Sequence, residues 1–107
     1  MSAGVLLAFA IVTEVIGTVL LRVSDGFSKP LPAAGVVIMY LVSVWLLALV
    51  LKELDIGFTY AVWSAVGTAA VAVVGVAAWG EPLNALKVVS LGVVILGVVG
   101  LNVSAAH

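Results

Sequence analysis

Four long apolar runs separated by short polar joints organise the chain. Crossing the hydrocarbon of a bilayer takes about 20 mostly apolar residues in a helix. Runs from Gly4 to Leu21, Ala33 to Leu51, Gly57 to Trp79 and Leu86 to Val103 meet that length, so transmembrane helices are predicted over 4–21, 33–51, 57–79 and 86–103. The joints carry turn chemistry. Ser24-Asp25-Gly26 closes the first helix, with Gly26 suited to a left-handed cap. Lys29-Pro30-Leu31-Pro32 opens the second, because proline is tolerated in a first helical turn. Lys52-Glu53-Leu54-Asp55 and Gly80-Glu81-Pro82-Leu83-Asn84 form the other two joints. Joints this short make consecutive helices antiparallel. The expected fold is an all-α membrane protein, a single four-helix transmembrane domain over residues 1–107.

Composition sharpens this picture. The chain is 65% hydrophobic and 8% charged, where soluble domains carry roughly a quarter charged residues. A soluble chain of this kind would expose large apolar patches and aggregate. The first run lacks a preceding Lys or Arg and holds a Glu near its middle, so it reads as a retained helix and not a cleaved signal. The net charge of -1, with scattered basic residues, argues against nucleic acid as a partner. Cysteine is absent, which excludes thiol and disulfide chemistry. No metal-ligand cluster is seen, and the only histidine, His107, is expected to be a mobile terminal group. Neither a cofactor nor an enzymatic activity is expected. Arg22, Lys29 and Lys87 fall on one side of the membrane and Lys52 on the other, joined by the N-terminal amine. The positive-inside rule finds only a modest bias there. Insertion in both orientations is therefore expected, which permits an antiparallel dimer.

Of the four basic and five acidic side chains, all but Glu14 sit at helix ends or in joints. Glu14 lies midway along the first helix. A charge there costs about 3 kcal/mol on insertion scales, and intramembrane ionisable residues are functional by default. Low dielectric disfavours an isolated anion, so Glu14 is expected to hold a proton or a cation, but not both well. That competition is the physical basis of proton-coupled cation exchange. Leu7, Ala10, Gly17, Thr18 and Leu21 share its face by helical spacing. The small ones either leave room for a ligand or allow close helix packing.

Tyr40 lies mid-way along the second helix, followed on its face by Ser43. Tyr60 and Trp63 stand one turn apart near the start of the third helix, with Gly67 a turn further. Aromatic faces stabilise an organic cation by up to about 2 kcal/mol in a dry pocket, so Glu14, Tyr40, Tyr60 and Trp63 could build one. The other reading places the aromatics against lipid or in an interfacial belt, as expected for Trp79, while Trp45 is open between the two. Glu53, Asp55 and Glu81 read as solvated joint charges. The fourth helix carries Ser90, Gly92, Gly97 and Gly100, small residues that let helices approach closely. Ser90 and Gly97 share one stripe, read as a dimer contact, with packing inside the protomer as the alternative. Four helices barely enclose a path for an organic cation, and two copies in opposite orientations would build the chamber between them.

These residues resemble the small multidrug resistance family of bacterial exporters over essentially the whole chain. The resemblance is carried by Thr13-Glu14-Val15-Ile16-Gly17-Thr18, Ser24-Asp25-Gly26-Phe27, Tyr40, Trp45-Leu46-Leu47-Ala48, Tyr60-Ala61-Val62-Trp63-Ser64, Gly67 and Asn102. It implies an asymmetric antiparallel homodimer in the bacterial inner membrane that exports lipophilic or quaternary ammonium cations against protons. It also implies roles: Glu14 as the shared proton and drug site, Tyr40, Tyr60 and Trp63 as aromatic walls, and Ser43 and Thr18 as polar partners near the acid. Ile16 stands where the guanidinium-exporting branch has Trp, and Tyr40 is a tyrosine that branch lacks, so both favour the multidrug branch. Ala65-Val66-Gly67 departs from the family's Gly-x-Gly at a kink in the third helix, and Ser90 replaces a frequent glycine. The alternatives are a guanidinium or polyamine exporter, as one half of a heterodimer, a proton-carrying ring subunit, and a structural membrane partner.

Overall fold

The computed structural model describes residues 2–105, so His107 lies outside the described residues. Four helices follow one another: α1 (Ala3–Val23), α2 (Pro30–Val50), α3 (Ile56–Trp79) and α4 (Ala85–Ala105), with no strand among the described residues. Each is long and apolar enough to cross a membrane. At 1.5 Å per residue they span at least about 31 Å, close to the thickness of the hydrocarbon core. A helix is the natural solution there, because it satisfies its backbone polar groups within one segment.

Six of the eight helix ends lie outward of their predicted places, while α2 stops one residue early, at Val50, and α3 ends at Trp79 as predicted; the caps account for the extensions at the helix starts. Ser2 caps α1 by accepting the Val5 N–H at 3.2 Å. α2 starts at Pro30, since a proline at the first position gives up an N–H that would have no helical partner anyway. Asn84 Oδ1 accepts the Lys87 N–H at 2.8 Å and starts α4. α3 ends on Gly80 at φ 64°, whose N–H reaches the Gly75 carbonyl.

The described chain forms two compact units that divide after Leu54. The first is the α1–α2 hairpin. Its contacts run antiparallel: Leu20 packs on Gly35, the Tyr40 ring on Gly17, and Ser43 bonds Ala10, so the α2 number rises as the α1 number falls. Leu7, Ala10 and Ile11 of α1 and Val36, Leu46 and Val50 of α2 make its buried apolar seam.

The turn between them is tightly built. Ser24 is fully buried; its Oγ donates to the Leu21 carbonyl at 2.7 Å and accepts the Phe27 N–H at 3.1 Å. Left-handed backbone, expected only at Gly26, extends over Asp25 (φ 49°), Gly26 (φ 68°) and Phe27 (φ 66°). L-residues disfavour that region, so the Ser24 bonds must hold the turn against its own backbone preference.

The second unit is the α3–α4 hairpin. Gly67 is buried within α3, which runs unbroken from Ile56 to Trp79. No described residue of α4 is buried. Ser90, Gly92, Gly97 and Gly100 are all exposed, and nothing lies within 4 Å of a Cβ added at any of the three glycines.

Ser24→Ala removes both Oγ bonds and leaves the Phe27 N–H without its acceptor. It should lower the stability of the chain by about 1–3 kcal/mol, read as an earlier midpoint when the detergent-solubilised protein is titrated with denaturant.

Candidate functional site

Glu14 sits near the midpoint of α1, half-buried on the side that faces α2. Thr18, one turn further along the same face, donates from Oγ1 to Glu14 Oε1 at 3.0 Å. Thr18 Oγ1 in turn lies 2.7 Å from the Tyr40 hydroxyl of α2. A hydroxyl carries one proton. With Glu14 ionised, the Thr18 proton goes to the carboxylate, so Tyr40 must donate to Thr18. The result is a relay, Tyr40 to Thr18 to Glu14, in which each bond polarises the next.

The other carboxylate oxygen behaves differently. Glu14 Oε2 is buried with no hydrogen-bond partner among the described residues. Buried polar atoms are nearly always bonded, so an exception calls for an explanation.

Gly17 makes the relay possible. A Cβ at that position would lie 2.7 Å from Cδ1 and Cε1 of Tyr40 and 3.3 Å from Cβ of Met39. The Tyr40 ring lies against the α1 backbone, and only glycine admits it there. Of the two roles open to Gly17, the one visible in this hairpin is close packing. Ala10 is fully buried, and its carbonyl accepts the Ser43 hydroxyl at 2.7 Å and the Thr13 hydroxyl at 3.0 Å. Ala10 and Ser43 thus fasten the seam one turn from the acid, while Thr18 touches the acid itself. Sequence reasoning gave Ser43 and Thr18 similar standing. No spacing in the sequence signals the bond from Thr13 to Ala10.

In the second hairpin, Tyr60 and Trp63 form an edge-on pair with ring centroids 5.5 Å apart at 61°. Tyr60 is exposed and Trp63 half-buried. Beside them Thr59 is buried, and its Oγ1 has no hydrogen-bond partner among the described residues. A threonine in an apolar helix gives no sequence signal of this. Trp45 is exposed on α2, and Trp79 is the last residue of α3. Glu81, expected to be a solvated joint charge, folds its carboxylate back onto Gly75, where an added Cβ would clash with it. Among the described residues, no group of three or more acidic or histidine side chains could hold a metal ion.

A membrane-crossing hairpin with a carboxylate held at mid-helix by one hydroxyl, itself bonded to a second, defines a class: a multi-pass membrane protein with an ionisable group in its hydrocarbon-spanning part. The model of the Small Multidrug Resistance protein family matches residues 3–94. The chain is 46% identical over 101 residues to the multidrug resistance protein EbrB of Bacillus subtilis, covering 94% of this chain and 86% of that protein. It is 44% identical over 98 residues to EbrA of Bacillus atrophaeus, with 92% and 93% covered. It is 40% identical over 99 residues to Mmr of Mycobacterium tuberculosis, with 92% of each chain covered. The chain belongs to the small multidrug resistance family. It is a multi-pass protein of the bacterial inner membrane, in a family of multidrug efflux proteins.

Gly17→Ala forces the Tyr40 ring off the α1 backbone and separates its hydroxyl from Thr18. Overpacking of this kind costs about 1–3 kcal/mol. The variant should unfold earlier in detergent than wild type, whereas Tyr40→Phe, which keeps the ring and loses only the hydroxyl, should unfold closer to wild type.

Proposed function

We propose that the chain is a proton-coupled antiporter that exports lipophilic and quaternary ammonium cations across the inner membrane, with Glu14 alternately binding proton and drug. The observation that carries this reading is the half-satisfied carboxylate: Oε1 held by the Thr18–Tyr40 relay, Oε2 buried without a partner. A carboxylate in hydrocarbon needs a counter-charge or a proton. The relay fixes the orientation of the group and leaves one oxygen to take either. Proton and cation then exclude each other, and that exclusion couples their movements.

Two protomers assemble as an antiparallel homodimer. Tyr40 of the first hairpin and Tyr60 and Trp63 of the second supply aromatic walls for the cation. Ala10, Gly17 and Ser43 shape the seam beneath the acid, and Gly67 is the point where α3 bends. Ser90 and Gly97 of α4 make the contact between protomers. The open surface of α4 supports this, as does a groove of about 370 Å³ against α3 that Gly97 lines together with Ala61, Ala65, Val94 and Val98. The names of the relatives, multidrug resistance proteins, favour a multidrug cargo over guanidinium or polyamine. On this reading the chain is a transporter with no catalytic step.

Adding tetraphenylphosphonium to detergent-solubilised wild-type protein should release protons, and cation affinity should fall as the solution is acidified. Glu14→Gln should release none and should abolish export while expression is retained. Export by Glu14→Gln, or cation binding without proton release by wild type, defeats the mechanism. Proton release with guanidinium but not with tetraphenylphosphonium moves the chain to the guanidinium branch. Export that requires a second, different chain replaces the homodimer.

Trp63→Ala should weaken tetraphenylphosphonium binding by up to about 2 kcal/mol in isothermal titration. Unchanged binding would place Trp63 outside the pocket.

A further inference from the structure

Where α3 meets α4 near their joint, the second hairpin opens into an apolar groove of about 200 Å³. Val73, Val76 and Ala77 of α3, Leu83 of the joint and Leu91 of α4 line it, and Lys87 is its only polar lining residue. Lys87 lies in the first turn of α4, half-buried along its stem. Its Nζ donates to the Pro82 carbonyl at 2.7 Å. An ammonium has three protons to give, so this bond orients the cation towards the joint and leaves it able to hold an anion.

We propose that this groove binds an anionic diacyl phospholipid, with one acyl chain between α3 and α4 and the headgroup phosphate on Lys87. The pattern of the site selects this occupant. Its walls offer nothing to a polar ligand, and at a membrane-spanning helix pair the apolar molecules available are lipid chains. The single charge is positive and stands at the end of a membrane helix, where basic side chains reach for the headgroup layer. An organic cation would meet Lys87 as a like charge, so the groove is not a second seat for the exported cargo. Glu81, the acidic side chain of the same joint, is not one of the residues that line the groove. Its carboxylate lies over Gly75, two positions from both Val73 and Ala77. Gly75 is three positions from Ala72, a neighbour on the same helix face, so Glu81 flanks the groove on its Ala72 side without lining it.

The full-length protein, exchanged into nanodiscs of phosphatidylcholine with a minor fraction of phosphatidylglycerol, tests this through the motionally restricted fraction of spin-labelled lipid. Wild type should retain labelled phosphatidylglycerol about fivefold over labelled phosphatidylcholine, the preference expected for one basic residue meeting an anionic lipid. Lys87→Gln should abolish that preference, and Lys87→Glu should reverse it, with helix content unchanged by circular dichroism. Leu91→Trp, which fills the groove, should reduce retention of phosphatidylglycerol while Lys87 remains. An undiminished preference in Lys87→Gln overturns the proposal. So does displacement of phosphatidylglycerol by an equal amount of oleate, which would assign the groove to a free fatty acid. A change in oligomer mass on Leu91→Trp with lipid retention unaltered would assign it to a second copy of the chain.

Discussion

In hydrocarbon, a polar group must find its partner within the protein, because no water is there to provide one. The backbone meets this demand by helix formation, and Glu14 is the side chain on which the demand falls hardest. Insertion of a charge at this depth costs about 3 kcal/mol, while a hydrogen bond to a charged group returns about 1.5–3 kcal/mol. The single bond from Thr18 is therefore of the same size as the penalty, without clearly exceeding it. That near-balance matters. A carboxylate wrapped in several donors would be a fixed anion, and one with none would be a fixed acid. Glu14 has one oxygen held and the other unpartnered, half of what a buried carboxylate requires.

The rest of the first hairpin maintains this condition. Thr18 gives its one proton to the acid, which leaves its oxygen to accept, and the Tyr40 hydroxyl donates to it. Tyr40 reaches that place only because Gly17 has no side chain. The register that sets Tyr40 opposite Gly17 is fixed at either side, by Ser43 on the Ala10 carbonyl and by Leu20 in the notch at Gly35. In water such a seam would draw on the hydrophobic effect. In lipid, where the surroundings are as apolar as the seam, close approach and interhelical hydrogen bonds must do the holding. Glycine, alanine and two hydroxyls are what those forces require.

Much of this was legible in the sequence, for a reason particular to membranes. Length and apolarity alone locate spanning helices, so all four were found, and Glu14 stood out because nothing else in the runs is ionisable. Helix ends were misplaced by up to three residues, at Pro30, because hydropathy falls off before the helix does and prolines or capping side chains carry it further. Faces were harder. A helix that is apolar on every side has no periodicity to show which stripe packs, so the two roles of Gly17 stayed open until the Tyr40 ring was seen against it. Ser43 and Thr18 look alike as hydroxyls near an acid, and only their rotamers and the register separate the one that bonds Ala10 from the one that bonds Glu14. The fold of Glu81 over Gly75 depends on the left-handed cap at Gly80 that turns the chain back, a path set by the backbone and not by spacing.

The two hairpins spend their small residues differently. In α1 and α2, Gly17 and Gly35 are filled by a side chain from the facing helix. In α4, Gly92, Gly97 and Gly100 meet nothing among the described residues. Glycine inside a helix is worse than alanine by about 0.5–1 kcal/mol, and within this chain alanine would fit at all three positions. Packing within the α3–α4 hairpin therefore gives no account of them. An external surface that must come closer than a Cβ permits does give one, and in a bilayer that surface is another helix, since lipid chains adapt to a methyl group without strain. The same helix carries, nearer its start, the apolar groove closed by Lys87. Along α4, Gly92 and Gly100 stand about 140° around the helix from Lys87, so the small residues and the cation of the groove are turned to different neighbours.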